Sequence, residues 1–423
     1  MALEQQVKPF LTTSKCWSCS GSLSSLLDVP SMPLTGRFPG KGQPHLCGDI
    51  TLSICDHCNL VQLRQAYDPT LMYEEYFYQS SVNNTMRNHL LGVVNRVLSH
   101  FGPSEPTKWL DIGCNDGYLL SIVKTLGWDI VGVDPSDIIG RYFKRIFPTP
   151  PGQQESKFVN GIFPCQELKC EEPGSFDIIS SISMFYDVSN ISSFIAEIDR
   201  LLSEKGLWIV EMNYTYDMAV ENGYDMISHE HITYFTVQTF TKMLSVHSTD
   251  LKLIDVEQTD INGGSITLYI SKSASPNQGK IDEIIERENQ FQIHSKEFWT
   301  NYFHEINLHA QKFRTYVESE IAEGRTVGIY GASTRGNTNI LFSNVDSSLI
   351  PFAFEKNEKK VGRYCPGSNI EIIHENQIDF SRVQTLIVMP YSFIDEFVKK
   401  EADFLEAGGK LVTLVPKIKE YKF

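Results

Sequence analysis

Apolar runs of strand length alternate with segments of helical periodicity through the middle of the chain. The first run, 109–112, leads into a glycine-punctuated turn and then into a helical pattern at 118–124. Further apolar runs follow, and helical patterns separate several of them. Strands that alternate with helices predict a parallel sheet that binds its ligands at the carboxyl ends of the strands. A late pair of strands, joined by Asn262, Gly263 and Gly264, completes the α/β domain that we predict over residues 81–272.

The same order of elements recurs nearer the C-terminus. Residues 281–323 predict one long or broken amphipathic helix within a connecting segment that starts at 273. A second strand, loop and helix begin at 326, which predicts a small Rossmann-like domain over residues 324–423. Backbone N–H groups at 331–336, with Arg335 beside them, would hold a phosphate at the helix N-terminus. The alternative is a structural duplicate that binds no ligand.

The loop after the first strand indicates the cofactor. A dinucleotide fingerprint has glycines at its first, third and sixth positions, where this chain has Gly113, Asn115 and Tyr118. NAD is therefore disfavoured. Another strand ends at Asp134, about twenty residues beyond the first glycine, where an acidic side chain accepts hydrogen bonds from a ribose. This arrangement resembles the nucleoside site of the class I S-adenosylmethionine (SAM) methyltransferases; the alternative is a bare strand-to-helix turn.

The resemblance implies a set of cofactor contacts on this loop and at the ends of the strands beside it. Asn160, just past its strand, is the candidate for the adenine edge, and Ser181 follows the fourth strand. The complete set of candidates is Asp111, Gly113, Asn115, Gly117, Asp134, Asn160 and Ser181.

Net charge restricts the partners. The chain has 423 residues, with 37 basic and 52 acidic side chains and a formal charge of −15, which argues against a nucleic-acid partner. No apolar run reaches membrane-spanning length and the N-terminus lacks a signal pattern, so we expect a cytoplasmic protein without a membrane partner. In that compartment the nine cysteines should be thiols or metal ligands.

Four of these cysteines form two Cys-x-x-Cys pairs, Cys16 with Cys19 and Cys55 with Cys58. Two such pairs can supply four thiolates to one tetrahedral Zn²⁺, and a closed four-thiolate shell leaves no position for water. We therefore expect a structural zinc in an N-terminal lobe over residues 1–80. The competing interpretation is a redox pair, which is less favoured because redox motifs seldom come doubled.

The stretch from Ser228 to Phe235 carries the candidate chemistry, because it follows the fifth strand of the predicted sheet. His229, Glu230 and His231 do not form the zinc-binding His-Glu-x-x-His pattern. Histidine titrates near neutral pH, so His231 suits a general base that Glu230 orients or polarises. If the nucleophile is carbon, a donor must also stabilise an enolate oxygen. The candidate donors are Tyr78, Tyr186 and His229.

Taken together, these motifs resemble the three-domain sugar C-methyltransferases that act on nucleotide-linked ketosugars, and the resemblance extends nearly end to end. It includes the paired cysteines, the aromatic and serine segment from Tyr76 to Ser81, the loop at 111–117, Glu230 with His231, and the loop at 331–336. The resemblance implies a structural zinc, a central SAM domain and a C-terminal domain that helps to hold the nucleotide-sugar. It makes His231 the base, with Glu230 and Tyr78 its neighbours. The implied substrate contacts are Ser80, Asn262, Ser333, Arg335 and Arg363.

Two positions depart from the antibiotic-sugar members of that family. Ser228 replaces a tyrosine and Tyr186 replaces a histidine, which leaves the sugar and the enolate-stabilising donor open. The segment 184–187, Met-Phe-Tyr-Asp, together with His-Glu-His at 229–231 resembles a related branch associated with bacterial surface-polysaccharide pathways. We expect a class I SAM-methyltransferase α/β fold, C-methylation of a nucleotide-activated keto-deoxysugar, and a monomer or homodimer. The rivals are an O- or N-methyltransferase and a non-catalytic scaffold.

Overall fold

The computed structural model describes residues 4–73, 77–101, 107–136, 138, 147 and 156–423. Its N-terminal part is built on an antiparallel pair of long strands that pass between the two cysteine pairs. Apolar side chains of the second long strand, Ile50 and Leu52 among them, face a buried cluster that also contains Trp299 and Tyr302. The elements of this part are β1 (Glu4–Gln6), β2 (Leu11–Thr12), β3 (Leu23–Pro33), β4 (His45–Cys55), β5 (Val61–Leu63), β6 (Gln65–Ala66) and α1 (Pro69–Tyr73).

A seven-stranded sheet forms the middle of the molecule. Five neighbouring strands are parallel, and the last two form the late antiparallel pair. The strand order is β13-β14-β11-β10-β7-β8-β9. Its elements are α2 (Asn84–Phe101), β7 (Lys108–Ile112), α3 (Tyr118–Thr125), β8 (Asp129–Asp134), β9 (Lys157–Asn160), β10 (Phe176–Ile182), α4 (Ile191–Leu201), β11 (Leu202–Asn213), α5 (Thr215–Val220), α6 (Val237–His247), β13 (Lys252–Thr259) and β14 (Ser265–Ser271).

Strand β12 (Thr233–Tyr234) does not join this sheet. It pairs with Val61 and Gln62 of β5, so the stretch that follows the fifth strand becomes the edge of the N-terminal sheet. The histidines just before β12 are thereby placed between the N-terminal and middle parts of the molecule.

The connecting segment is a broken helix. It consists of α7 (Gln278–Gln290) and α8 (Lys296–Ala322), and Ser295 caps the second helix by accepting the Phe298 N–H. One end of α8 packs Trp299 into the N-terminal cluster, and the other end packs Phe313 and Val317 into the C-terminal core.

The C-terminal part is a six-stranded sheet in the order β17-β16-β15-β18-β19-β20, parallel except at its last strand. Two of its strands, β17 and β20, are absent from the sequence-based prediction. Its elements are β15 (Val327–Tyr330), α9 (Thr334–Phe342), β16 (Phe352–Glu355), β17 (Glu371–His374), β18 (Thr385–Val388), α10 (Ile394–Lys400), α11 (Ala402–Glu406), β19 (Lys410–Thr413) and β20 (Lys419–Tyr421). Within the described part of the chain, no helix is long and apolar enough to cross a bilayer.

Candidate functional site

A cavity of about 760 Å³ lies where the three parts of the molecule meet. The middle sheet contributes its strand ends, the N-terminal part contributes residues near Thr35 and the segment 77–83, and the C-terminal part contributes the loops that follow β15 and β16. Residues from all three parts therefore face one space.

Asp134 and the loop after β7 form one wall of this cavity. The backbone N–H of Asn115 donates to Asp134 Oδ2 over 2.8 Å, and the N–H and hydroxyl of Ser136 donate to Oδ1. Burial raises the pKa of the Asp134 carboxyl, although these hydrogen bonds oppose that rise. Gly113 has φ +76°, and a Cβ there would lie 2.9 Å from Met184 Cγ, so a side chain would be both strained and crowded. Asp134 in this wall fits a ribose, and Gly113 lets the backbone come close to a ligand.

Asp111 also lines the cavity, and its carboxylate is buried. The hydroxyl of Ser180 donates to Asp111 Oδ1 over 2.6 Å. Burial raises the pKa of Asp111 to about 7.

Three of the predicted cofactor residues do not face the cavity. Asn160 is exposed, and its amide donates to the backbone carbonyls of 134–136, so it shapes the turn after β8. Ser181 points to the other side of its strand, where it accepts the indole N–H of Trp208. Gly117, with φ +78°, caps helix α3. The structure does not place these three residues in the cavity wall, and Ser136, Ile162 and Ser183 line the cavity near these positions instead.

Asn115 has a second role that its position in the loop did not predict. Its side chain accepts the Ser80 N–H over 3.0 Å and donates to the Tyr78 carbonyl over 3.1 Å. Neighbouring Asp116 accepts the Ser80 hydroxyl and the Ser81 N–H. The cofactor loop therefore holds the segment 78–81 over the cavity, and Ser80 is fixed there by these bonds. Tyr76 lies outside the described residues.

His231 lines the cavity, and one of its two ring nitrogens is already hydrogen-bonded to the backbone. Its Nδ1 lies 2.6 Å from the Met226 carbonyl, which can only accept, so Nδ1 carries the proton and Nε2 keeps its lone pair. Burial lowers the pKa of His231 to about 4, against the opposing effect of that hydrogen bond. The ring is neutral near pH 7, and its edge-on contact with Tyr186 spans 4.8 Å between centroids.

Glu230 sits at the junction of all three parts. Its Oε1 would lie 2.4 Å from a Cβ built on Gly36, and that same position is 3.6 Å from a methyl of Thr334. Burial raises the pKa of the Glu230 carboxyl to about 7. Its carboxylate forms no hydrogen bond with any described side chain or backbone group.

The three candidate donors differ in their placement. Tyr186 and Tyr78 both line the cavity, with 9% and 44% of their surfaces exposed, and burial raises the pKa of the Tyr186 hydroxyl well above its usual value. His229 is directed away from the cavity. Its Nε2 bonds the Gly48 carbonyl over 3.0 Å and its ring packs edge-on against Tyr67. Of the three candidate donors, the structure therefore places Tyr78 and Tyr186 in the cavity wall but not His229.

Ser333 and Arg335 of the C-terminal part line the cavity with Asn262 of the middle part, but the Arg335 guanidinium is already paired. Arg335 makes a 2.6 Å ion pair with Asp225, donates to the Asn262 carbonyl and donates to Tyr391 Oη over 3.0 Å. Ser333 uses its hydroxyl to cap helix α9. Asp225 neutralises the charge of Arg335, and the role of Arg335 in holding a phosphate stays a prediction.

Arg363 is likewise not part of the cavity wall among the described residues. Its guanidinium donates to the Phe38 carbonyl over 3.0 Å and lies over the ring of Phe77. The sequence-based prediction missed the lysines of the loop after β16, where Lys356, Lys359 and Lys360 all line the cavity. Lys356 and Lys359 are exposed and form no ion pair with a described residue, whereas Lys360 is buried and donates to the Ala332 carbonyl.

The four predicted zinc ligands come together away from the cavity. Cys16, Cys19, Cys55 and Cys58 place their sulfur atoms within 4.8 Å of one another. The Cys16–Cys58 and Cys19–Cys55 sulfur distances are 3.6 and 3.5 Å. Bonds of about 2.3 Å from Zn²⁺ to tetrahedral thiolates place the sulfurs about 3.8 Å apart, so the cluster fits this ion. The N–H groups of His57 and Cys58 also point at Cys55 Sγ.

Two family models match the chain. A methyltransferase domain matches residues 83–256, and a C-methyltransferase C-terminal domain matches residues 260–416. The C-methyltransferase NovU of Streptomyces niveus is 24% identical over 401 residues, which cover 92% of this chain and 93% of NovU. A tRNA U34 carboxymethyltransferase of Pseudoalteromonas translucida (strain TAC 125) is 30% identical over 118 residues, 28% of this chain and 35% of that protein.

Solved structures resemble the chain more distantly. The PH0226 protein from Pyrococcus horikoshii OT3 covers 49% of this chain and 96% of its own length at 14% identity, with a TM-score of 0.37.

Proposed function

We propose, from the premise that this chain is a SAM-dependent C-methyltransferase with the class I fold, that it methylates a carbon beside the ketone of a nucleotide-activated keto-deoxysugar. The observation that carries this proposal is His231 Nε2, an unprotonated ring nitrogen in the wall of the cavity. A neutral imidazole whose other nitrogen is fixed by a carbonyl is suited to removing a proton from carbon.

The wall around Asp134 is the proposed SAM site. Asp134 would accept hydrogen bonds from the ribose hydroxyls, and Gly113 allows the backbone to approach the cofactor. Bound SAM supplies an electrophilic methyl group. The chain must then produce a carbon nucleophile and align it with that methyl.

His231 would take the proton from the carbon beside the ketone onto Nε2. The negative charge that develops on the ketone oxygen needs a hydrogen-bond donor in a site that excludes water. Tyr186 is the better placed of the remaining candidates, because its ring contacts His231 and its hydroxyl stays protonated at neutral pH. Tyr78 is the second candidate donor in the same cavity.

The phosphates of the substrate would be held by lysines rather than by Arg335. Lys356 and Lys359 bring positive charge to the cavity from the loop after β16, and both lack an ion-pair partner among described residues. In a chain of formal charge −15, such unpaired cations at a cavity support an anionic substrate. Zn²⁺ held by the four cysteines would stabilise the N-terminal lobe and takes no part in the chemistry.

Hydrogen exchange tests the carbon route. The protein saturated with S-adenosylhomocysteine (SAH) should catalyse deuterium incorporation beside the ketone of a nucleoside-diphosphate 4-keto-6-deoxysugar in D₂O. His231→Gln should lower that exchange by about 10²- to 10⁴-fold and leave the SAH affinity unchanged. The exposed His304→Gln is the control. Turnover with SAM that places the methyl on oxygen or nitrogen, without exchange at carbon, would contradict the proposal.

A further inference from the structure

Asp187 and Glu230 place two carboxylates in the cavity beside His231, and neither has a counter-ion among the described residues. Asp187 Oδ2 accepts the Tyr73 hydroxyl over 2.7 Å, whereas Oδ1 has no hydrogen-bond partner. Glu230 has none at either oxygen. The hydroxyl of Ser228, which is 2% exposed and also lines the cavity, is unpartnered as well.

Two cations of the cavity wall, Arg335 and Lys360, are committed elsewhere. The guanidinium of Arg335 is divided between Asp225, the Asn262 carbonyl and Tyr391. Lys360 donates to the Ala332 carbonyl and lies 3.8 Å from Glu355. No described lysine or arginine forms an ion pair with Asp187 or Glu230.

Such acceptors are costly unless a ligand satisfies them. A half-buried carboxylate that lacks a donor at one or both oxygens disfavours its charged form, and burial raises the pKa of both groups here. Glu230 adds to the effect on Asp187, so the two carboxylates are close enough to interact. A donor from a bound molecule would remove this penalty.

We infer that Asp187, together with Glu230, recognises hydrogen-bond donors on the substrate's sugar ring, namely hydroxyl or ammonium groups on carbons near the one that receives the methyl. This inference rests on the proposed function, because it places the ring beside His231. Glu230 precedes His231 in sequence, and Asp187 follows Tyr186, whose ring contacts the imidazole. Asp187 is thus a specificity-determining residue, and Tyr73 positions its carboxylate.

Asp187→Asn is the informative variant because it preserves shape. One oxygen remains to accept the Tyr73 hydroxyl, while the unpartnered Oδ1 is replaced by an amide that donates instead of accepting. Tyr73→Phe is the companion variant, since it keeps the carboxylate but removes its anchor. The exposed Asp379→Asn in the C-terminal domain is the matched charge control.

Calorimetry on the full chain saturated with SAH measures how much the sugar contributes to binding affinity, separately from the nucleotide. The probes are UDP, dTDP, their glucose conjugates and UDP-glucosamine. The glucose conjugates should bind more tightly than the free diphosphates. Asp187→Asn should reduce that gain by about tenfold or more without changing the affinity for the free diphosphate, and Tyr73→Phe should reduce it by about threefold. Asp379→Asn should change neither.

The same data distinguish a hydroxyl donor on the sugar from an ammonium donor. An ammonium partner predicts that UDP-glucosamine binds more tightly than UDP-glucose and that Asp187→Asn abolishes this preference, whereas a hydroxyl partner predicts equal or weaker binding. The inference is overturned if the glucose conjugates bind the unmodified chain no more tightly than the free diphosphates, or if Asp187→Asn keeps that difference in affinity. Either result leaves the proposed function intact. Failure of every nucleoside diphosphate to bind overturns both. If Asp187→Asn does not fold, Tyr73→Phe and Asp187→Glu decide.

Discussion

Two glycine loops at strand ends, 111–117 in the middle sheet and 329–336 in the C-terminal sheet, have almost the same backbone. Gly113 and Gly331 have φ values of +76° and +84°. Each glycine donates its N–H to the carbonyl of the second-last residue of the adjacent strand, Val133 or Phe354, over 2.8 Å. Each adjacent strand ends in an acidic residue, Asp134 or Glu355.

The side chains around the two loops are used differently. Asp134 is held by the Asn115 N–H of the facing loop and by Ser136 at the cavity wall. Glu355 is instead turned back on its own chain, where Oε1 accepts the N–H groups of Lys356 and Asn357 over 2.9 Å. Arg335 in the second loop pairs with Asp225 of the middle part. A strand, loop and helix therefore provide the backbone of a nucleotide site, while neighbouring contacts decide whether ligands can use it.

The largest expected difference between the loops is in cofactor affinity. Asp134→Ala removes the proposed ribose acceptor and the partner of Asn115, so we expect the Kd for SAH to rise by about 1,000-fold, given about 1.5–3 kcal/mol per hydrogen bond to a charged group. Glu355→Ala should leave that Kd unchanged, as measured by calorimetry. Equal losses in the two variants would mean that SAH does not distinguish the loops.

Arg335→Ala should act on stability rather than on the cofactor. It leaves Asp225, whose side chain is 2% exposed, without its ion-pair partner. We expect the free energy of unfolding to fall by about 3 kcal/mol with little change in SAH affinity. Denaturation of Arg335→Ala, Asp225→Ala and the double variant should show strong non-additivity. Additive losses would exclude the ion pair as their source.

The two sheets should also differ in their response to pH. Asp111 lies two residues before Gly113, whereas the apolar Ile329 lies two residues before Gly331. Burial raises the pKa of Asp111 to about 7, so the folded state holds a proton that the unfolded state releases near pH 4. Stability is therefore greatest at low pH and is lost as the pH rises to the folded-state pKa. Relative to Asp111→Asn, the unmodified chain should lose about 2 kcal/mol of unfolding free energy between pH 5 and 8; parallel curves would be inconsistent with this.

The smallest effect concerns the glycines themselves. Gly113→Ala and Gly331→Ala should each lower the unfolding free energy by about 1 kcal/mol, because both positions have positive φ and crowded Cβ sites. Only Gly113→Ala should also weaken SAH binding, by about tenfold. Thermal unfolding and SAH titration of the pair measure the two effects separately.

Much of the fold follows from the alternation of apolar runs and helical patterns. That pattern predicted the succession of strands from β7 to β11 and the late pair β13 and β14, and the SAM-dependent methyltransferase assignment is confirmed. The long ribbon of β3 and β4 escaped prediction because proline-rich stretches obscure its alternation. Strand β12 escaped it because it is only two residues long and pairs with a distant edge.

The site was predictable where backbone geometry decides it and unpredictable where side-chain direction does. The four cysteines and Asp134 follow from spacing. Ser180 and Ser181 are consecutive buried serines, and only the structure reveals that Ser180 faces Asp111 while Ser181 faces Trp208. The capture of Arg335 by Asp225, 110 residues away in sequence, has no local signal.

The absence of a side chain at Gly36 bears on whether a fragment of the chain can form the complete cavity. The space that a methyl group would fill there is occupied by Glu230, and Thr334 closes the same spot from the third part of the molecule. This part of the cavity is consequently assembled from segments nearly 300 residues apart. We expect a middle fragment expressed alone to bind SAH but to lack the side of the cavity that we propose for the sugar. Substitutions where these segments meet should abolish turnover and leave cofactor binding intact.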